Sequence, residues 1–344
     1  LEAAAAIGGL VRSDGPVWEP ECRFSAAPFV GREREMQRVQ ARARRVRESG
    51  RGWTLFLAGE AGAGKTRFME EMRSRALLEG WHVAEGACGV RAESGYAPYR
   101  QVLSQLDPEG ETSLFDQAVR TGSSDPGDGA SGFATGQFQD QLTRELVRRL
   151  GDTPTLLLLH DFHNADRSSC AVLDYLGADI HSHPVLACVS LRSGEESSGY
   201  LEAVMETAVR NERGEVLTLE PLDRESLRRM AVGITGSNDL PAALNDWLYR
   251  AVGGNPLFLE QMLKHLLEQG ALRRSSGVWK FFEGSAKDLE VPAEVGSVLT
   301  KRLQSLPPPA RSLADWLALR HRPVAADSLA PAMSWSPGRV AGAV

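Results

Sequence analysis

Three short, uninterrupted apolar runs punctuate the first two thirds of the chain: residues 53–58 (WTLFLA), 155–159 (TLLLL) and 185–191 (VLACVSL). Runs of this length without polar alternation predict strands buried on both faces. Residues 81–88 form a further strand candidate. Between these runs the apolar spacing changes to three and four. It predicts a helix over 31–48 with Met36, Val39 and Val46 on its apolar side, and another over 66–79 that Gly80 stops. A short helix follows Tyr96-Ala97-Pro98-Tyr99 and ends near Leu106. A longer one covers 137–150, with Phe138, Leu142, Leu146 and Leu150 in step, and a last one covers 168–176. Buried strands alternating with helices predict a parallel α/β sheet.

The intervening stretch 107–136 is rich in Gly, Ser, Asp and Pro and is predicted to be a long surface loop. After the apolar segment 216–219 the pattern turns helical, over 224–232, 241–252 and 256–269. A hairpin-like piece at 278–282 and helices over 292–306 and 310–319 complete it. Residues 1–27 show no periodicity and are predicted to be a linker or the tail of an upstream domain, with an apolar stretch at 3–10. The predicted organisation is therefore 1–27, an α/β core over 28–220, a helical domain over 221–275, and a third, truncated piece over 276–344.

Composition narrows the classes. At 344 residues, with 42% hydrophobic and 24% charged positions, the chain is globular in character. No apolar run approaches the ~20 residues that span a bilayer, so a membrane-embedded protein is excluded for this stretch. A net charge of −6 argues against a chain built mainly to grip nucleic acid. The helix at 31–48 nevertheless holds Arg32, Arg34, Arg38, Arg42, Arg44, Arg45 and Arg47, which reads as a solvated helix face, with a nucleic-acid patch as the other reading. Cys22, Cys88, Cys170 and Cys188 are far apart and make neither a CxxC pair nor a disulfide framework, which places the chain in a cytoplasm. The first residues lack the basic flank of a signal peptide, and the chain is expected to be an excerpt from something longer. Its 5 Lys against 34 Arg suggest a GC-rich genome rather than a function.

The chemistry concentrates in Gly59-Glu60-Ala61-Gly62-Ala63-Gly64-Lys65-Thr66, which fits GxxxxGK[ST] at every fixed position. Backbone N–H groups of a glycine-rich turn can wrap phosphate oxygens only where side chains do not block the approach. Lys65 then neutralises β/γ charge, Thr66 offers its hydroxyl to Mg²⁺, and the following helix aims its positive end at the phosphates. A predicted strand precedes the loop and a predicted helix follows it. Such a site needs an acidic group from a partner strand, and Asp161, ending the apolar run 155–159, is the candidate for the magnesium. Asp166 is expected to cap the next helix. Arg192 ends the third apolar run, where a polar residue would lie beside a γ-phosphate. Asn255 and Pro256 open a helix as cap and first-turn residue.

Together these segments resemble the STAND class of P-loop ATPases, related to AAA+ proteins and to the origin-initiator-like ATPase domain, over about residues 28–320. Phe29-Val30-Gly31-Arg32-Glu33 resembles the motif the family places near the adenine, and His160-Asp161-Phe162-His163-Asn164-Ala165-Asp166 its DDLHWAD segment. Arg192 falls where the family keeps a sensor, and Gly254-Asn255-Pro256 matches its GxP signature, whose proline lies over the base. The segment from residue 289 through 306 and onward is similar to the start of its winged-helix module. The resemblance implies a nucleotide-binding set of Val30, Gly31, Arg32, Gly59, Glu60, Ala61, Gly62, Ala63, Gly64, Lys65, Thr66, Arg67 and Pro256, a metal set of Thr66 and Asp161, and Lys65, Asp161 and Arg192 as catalytic residues. His160 and Asn164 depart from the family pattern, which puts hydrolysis in question and leaves the catalytic base open.

What it implies functionally is an ATP- and Mg²⁺-binding switch of a larger bacterial signalling or transcription regulator, whose ATP/ADP state sets domain arrangement and homo-oligomerisation. Upstream kinase or cyclase domains, or a downstream helix-turn-helix, are the expected covalent partners, with DNA reached only through a domain outside this stretch. Two other classes compete. A replication-initiator-like DNA-binding ATPase would need a basic winged helix, and a P-loop kinase acting on a small molecule would need an acceptor-binding lid.

Overall fold

The computed structural model describes residues 25–89, 95–106, 131–193, 199–237, 240–275 and 278–282, and isolated positions at 284, 310–313, 329 and 335. The predicted linker up to residue 24, most of the predicted loop 107–136, and nearly all of 283–344, with its two helices and the winged-helix start, lie outside the described residues.

Described residues between 31 and 221 make one compact unit. Its elements are α1 (Glu33–Ser49), β1 (Trp53–Gly59), α2 (Lys65–Leu78), β2 (His82–Ala87), α3 (Ala97–Leu106), α4 (Ser131–Leu150), β3 (Thr155–His160), α5 (Arg167–Asp179), β4 (Val185–Arg192), α6 (Gly199–Arg210) and β5 (Gly214–Thr218). The five strands form one parallel sheet in the order β2-β3-β4-β1-β5. The apolar runs are the inner strands: β1, β3 and β4 are buried almost throughout, whereas the edge strands β2 and β5 alternate. Phe56, Leu157, Leu159, Ala187 and Val189 face a core completed by Val102 and Leu103 of α3, Leu142 and Leu146 of α4, Leu173 and Leu176 of α5, and Leu201 of α6. On the opposite face Leu156 and Leu186 meet Met36 and Val39 of α1 and Met72 of α2. The result is a three-layer α/β/α fold around one parallel sheet.

The free edge of β2 is closed by side chains. Gln105 Oε1 accepts from Glu85 N (3.0 Å) and its Nε2 donates to Glu85 O (2.7 Å), while Gln101 Oε1 accepts from Ala87 N (2.9 Å). Two glutamines one turn apart on α3 thus supply the partner that an unpaired strand edge lacks. Close seating is possible because Gly86 has no side chain: a Cβ there would collide with the Pro98 carbonyl oxygen and lie 2.8 Å from its carbon.

Two helical boundaries differ from expectation. α4 begins at Ser131 rather than 137, because Ser, Gly and Thr in SGFATGQ are poor helix formers and hide an extension that costs little once the helix is nucleated. α6 had no predicted counterpart, although Leu201 and Val204 are spaced for a buried face.

The second unit comprises the described residues of 25–30 and 222–282. Helices α7 (Arg224–Thr235), α8 (Ala242–Val252) and α9 (Pro256–Glu268) and the antiparallel hairpin β6 (Leu272–Ser275) and β7 (Val278–Phe281) share a core of Leu227, Ile234, Leu244, Leu248, Leu259, Leu263 and Trp279. Asn255 Oδ1 accepts from Leu257 N (3.1 Å) and Phe258 N (3.4 Å), with Pro256 in the first turn of α9. Asn255→Ala is expected to cost about 1 kcal/mol, measurable as a lowered urea midpoint.

Candidate functional site

All five strands are parallel, so their C-terminal ends lie along one edge of the sheet, where ligands bind in open α/β folds. β1 ends at Gly59 and α2 starts at Lys65, so the loop 60–64 joins strand to helix in five residues at that edge. Ala63 N donates to Glu60 O at 3.2 Å to close the turn. Gly62 (φ 80°) and Gly64 (φ 93°) hold the left-handed backbone that reverses the chain, and a Cβ at Gly64 would meet nothing within 4 Å but would strain its φ.

The start of α2 is built for an anion. The first intrahelical bond runs from Phe68 N to Gly64 O at 2.9 Å. The N–H groups of Lys65, Thr66 and Arg67 therefore precede any carbonyl the helix itself can offer. The capping residue Gly64 has no side-chain acceptor, and the first turn contains no acidic residue. Natural caps usually supply one or the other, and leaving both out keeps the positive end of the helix for an incoming phosphate. Lys65 Nζ lies over the same turn, donating to Gly59 O (2.7 Å) and Glu60 O (2.9 Å).

Arg32 also belongs to this loop. It is 6% exposed, and its Nη2 donates to Ala63 O at 3.2 Å while Nη1 pairs with Glu35 Oε1 at 3.4 Å. Burial pulls the guanidinium below its ordinary pKa, and the Glu35 and Glu220 carboxylates oppose that pull. A group with so high a starting value keeps its charge, so a permanent cation is held against the loop at Ala63. Gly31, at φ 73°, donates its N–H to Glu33 Oε1 (3.3 Å) at the head of α1. Arg67 is exposed and paired with Glu70 at 3.3 Å.

Register brings the remaining strand ends level. Arg192 is the sheet partner of Gly59, and Ser193 N donates to Gly59 O at 3.1 Å. Leu159 pairs with Val189, which in turn pairs with Phe56, so Asp161 comes level with Ala58. It is two strand spacings from β1, roughly 10 Å. Asp161 has φ 52° and ψ 40°, a left-handed conformation that Asp tolerates better than most residues. Its N–H donates to Ser190 Oγ at 2.9 Å, and its carbonyl accepts from Asn164 N at 2.9 Å. Beneath the turn, Phe162 is fully buried edge-on to Tyr99, whose hydroxyl donates to Ser169 O at 2.8 Å. Asp166 caps α5 as expected, accepting from Ser169 N at 2.9 Å.

Three contributors carry little signal in the sequence. Ser190 is the one hydroxyl in VLACVSL and sits where it can hold the Asp161 backbone. Glu85, a lone charge inside β2, lies with Oε2 3.7 Å from His160 Nε2 and with Oε1 2.7 Å from Arg73 Nε. The 3.7 Å separation is longer than a hydrogen bond. The His160 ring, with the Arg73 guanidinium, holds the Glu85 carboxyl below its ordinary pKa although burial raises it. His160 is thus positioned by a strand neighbour that no local motif reveals. Glu35, which pairs with Arg32, is the third.

Val30 and Pro256 belong to the second unit: Val30 packs against its core and Pro256 opens α9. Burial raises the thiol pKa of Cys88 and Cys188, so neither is a ready nucleophile. Among the described residues no cluster of three His, Cys, Asp or Glu could hold a metal, and no helix is long and apolar enough to cross a membrane.

Residues 28–189 match the family model described as an AAA ATPase domain. No curated protein matches the sequence. Solved structures similar to the chain include the Aeropyrum pernix ORC1 protein in complex with DNA, at 16% identity over 93% of this chain and 83% of that one, with a TM-score of 0.43. Drosophila ORC bound to DNA gives 15% identity, 97% and 86% coverage and a TM-score of 0.48. Domain III of the Thermotoga maritima replication initiation protein DnaA gives 17%, 80% and 94%, and 0.41. These are likenesses of fold.

Proposed function

We propose that the chain is an ATP-binding switch module of the STAND class, part of a larger signalling regulator, in which the ATP or ADP state sets domain arrangement and assembly. The observation that carries the reading is the helix start at Lys65, capped by a bare glycine, free of acidic side chains and overlaid by one ammonium. The residues suit a magnesium nucleotide. Magnesium takes one or two protein oxygens and completes its shell with phosphates and water, so no three-ligand protein cluster is required. In this reading the N–H groups of Gly62, Gly64, Lys65 and Thr66, with the Lys65 ammonium, hold the β- and γ-phosphates, and Thr66 Oγ1 and Asp161 hold the metal. When bound, magnesium neutralises phosphate charge and polarises the γ-phosphoryl group.

Ser190 fixes the Asp161 backbone, Arg32 braces the loop at Ala63, and Arg192 extends from the strand partner of Gly59 as the γ-phosphate sensor. Val30 and Pro256 are the residues that the family resemblance assigns to the adenine. The division into an α/β core over 28–220, a helical domain over 221–275 and a winged-helix-like start over 276–344 belongs to the same reading, as do a cytoplasmic location, assembly in the ATP state, and covalently linked kinase, cyclase or helix-turn-helix domains. A nucleotide can bias such a switch only by its differential affinity for the two arrangements.

The test is calorimetric titration with ATP and ADP, with and without Mg²⁺. Asp161→Asn is the informative variant at the metal, since Asn keeps the left-handed backbone and the side-chain shape while removing the charge. Binding without Mg²⁺ should be unchanged, and the gain in ATP affinity on adding Mg²⁺ should shrink about tenfold. If that gain is untouched, Asp161 does not hold the metal.

A further inference from the structure

The arginines of α1 are not evenly used. Of 34 arginines, eight fall within residues 31–51, where an even spread would place about two. With Glu33, Glu35 and Glu48 counted, this segment carries five net positive charges, while the whole chain carries six net negative ones. A GC-rich genome explains arginine over lysine but not their crowding into one element.

Their placement sorts them. Arg32 is buried against the phosphate loop, and Arg47 Nη1 donates to Glu79 O at 3.2 Å. At 100° per residue, Arg34, Arg38 and Arg45 fall within about 40° of one another, with Arg42 beside them, on the side away from the buried Met36, Val39 and Val46. From Arg34 to Arg45 this line runs about 16 Å. Glu215 answers two of its members, Arg38 at 3.2 Å and Arg42 at 3.3 Å. Arg34, Arg45 and Arg51 are exposed.

The line ends in an open cleft of about 460 Å³ whose lining includes Arg42, Arg45, Arg51, Trp53 and His181 together with the carboxylates of Glu48 and Glu212. The Arg42 guanidinium lies 3.6 Å from the centre of the Trp53 ring, which immobilises it. Trp53 Nε1 and His181 Nδ1 are buried polar atoms with no partner among the described residues. The indole nitrogen can only donate. These two atoms are buried and are not themselves reached by a ligand; the cations that face solvent here are the exposed Arg45 and Arg51. The cleft adjoins the N-terminal end of β1, about 20 Å from the phosphate loop at the other end of that strand, so it is a separate site.

We propose that this face of α1, with the cleft at its C-terminal end, binds the phosphodiester backbone of a nucleic acid. A line of planar guanidinia longer than any one mononucleotide calls for an extended anion with regularly repeated charges, and arginine engages phosphate bidentately. The test uses the whole 344-residue chain, a fluorescein-labelled 20-mer of oligodeoxythymidine, anisotropy at 50–200 mM salt, and the triple variant Arg34→Gln/Arg45→Gln/Arg51→Gln, which leaves the Glu215 pairs and the phosphate loop intact. The chain should bind with an affinity that falls as salt rises, and the variant should bind at least tenfold more weakly at 50 mM salt. Its log–log salt slope should be shallower by about 2, since each neutralised phosphate of a single strand contributes about 0.7. Unchanged ATP affinity in the variant excludes a folding defect and separates this site from the nucleotide reading. The proposal is overturned if the chain does not bind the 20-mer at 50 mM salt, if the variant keeps the full slope, or if polyglutamate of equal charge displaces the oligonucleotide at lower concentration than unlabelled oligothymidine does, which would identify an acidic protein as the partner.

Discussion

Lys65→Ala is expected to weaken ATP and ADP binding by about 10- to 150-fold, the range spanned by losing a hydrogen bond to a charged group worth about 1.5–3 kcal/mol. Lys65 is the only lysine in the first 263 residues of a chain that otherwise takes its cations from arginine, so its presence there is not compositional. Its ammonium lies within 2.9 Å of two carbonyls, Gly59 O and Glu60 O, where the loop leaves β1. Arg at this position should not rescue binding, because the planar fork needs more room than a compact ammonium. Calorimetric titration beside a far-ultraviolet spectrum of the variant decides the matter. A native-like spectrum with unchanged affinity would remove the phosphate-site assignment.

Gly86→Ala should produce the largest loss of stability, about 3 kcal/mol. The new methyl would collide with the Pro98 carbonyl oxygen and lie 2.8 Å from its carbon, both backbone atoms of α3, so no side-chain rotation relieves the clash. Moving α3 outward would also strip Gln101 and Gln105 from the β2 edge and take the acceptors from the Glu85 and Ala87 amides. A urea unfolding curve measures the effect. A midpoint equal to that of the unsubstituted chain would mean that α3 is not seated on β2.

Much of the fold was legible because the inner strands are wrapped on both sides. Burial on two faces leaves no polar alternation, and the runs at 53–58, 155–159 and 185–191 show it directly. The phosphate loop was legible for a related reason: its function depends on backbone conformation, so glycine must recur at fixed spacing. The cap at Asp166 and the start of α9 at Asn255 were equally local, each satisfied by amides two or three residues away. The first turns of α4 were missed because Ser, Gly and Thr there are weak helix formers that follow the tertiary surroundings rather than their own preference.

The sequence by itself therefore determined the strand–loop–helix with its glycine turn, glycine cap and one ammonium, since those properties reside in eight consecutive residues. Only the tertiary structure decided that Arg32 turns inward to Ala63, that Ser190 holds the left-handed Asp161, that Glu85 reaches His160, and that four arginines of α1 line up toward Trp53. These are contacts between groups far apart in the chain, set by sheet order and register, and a linear pattern carries no record of which strand lies beside which.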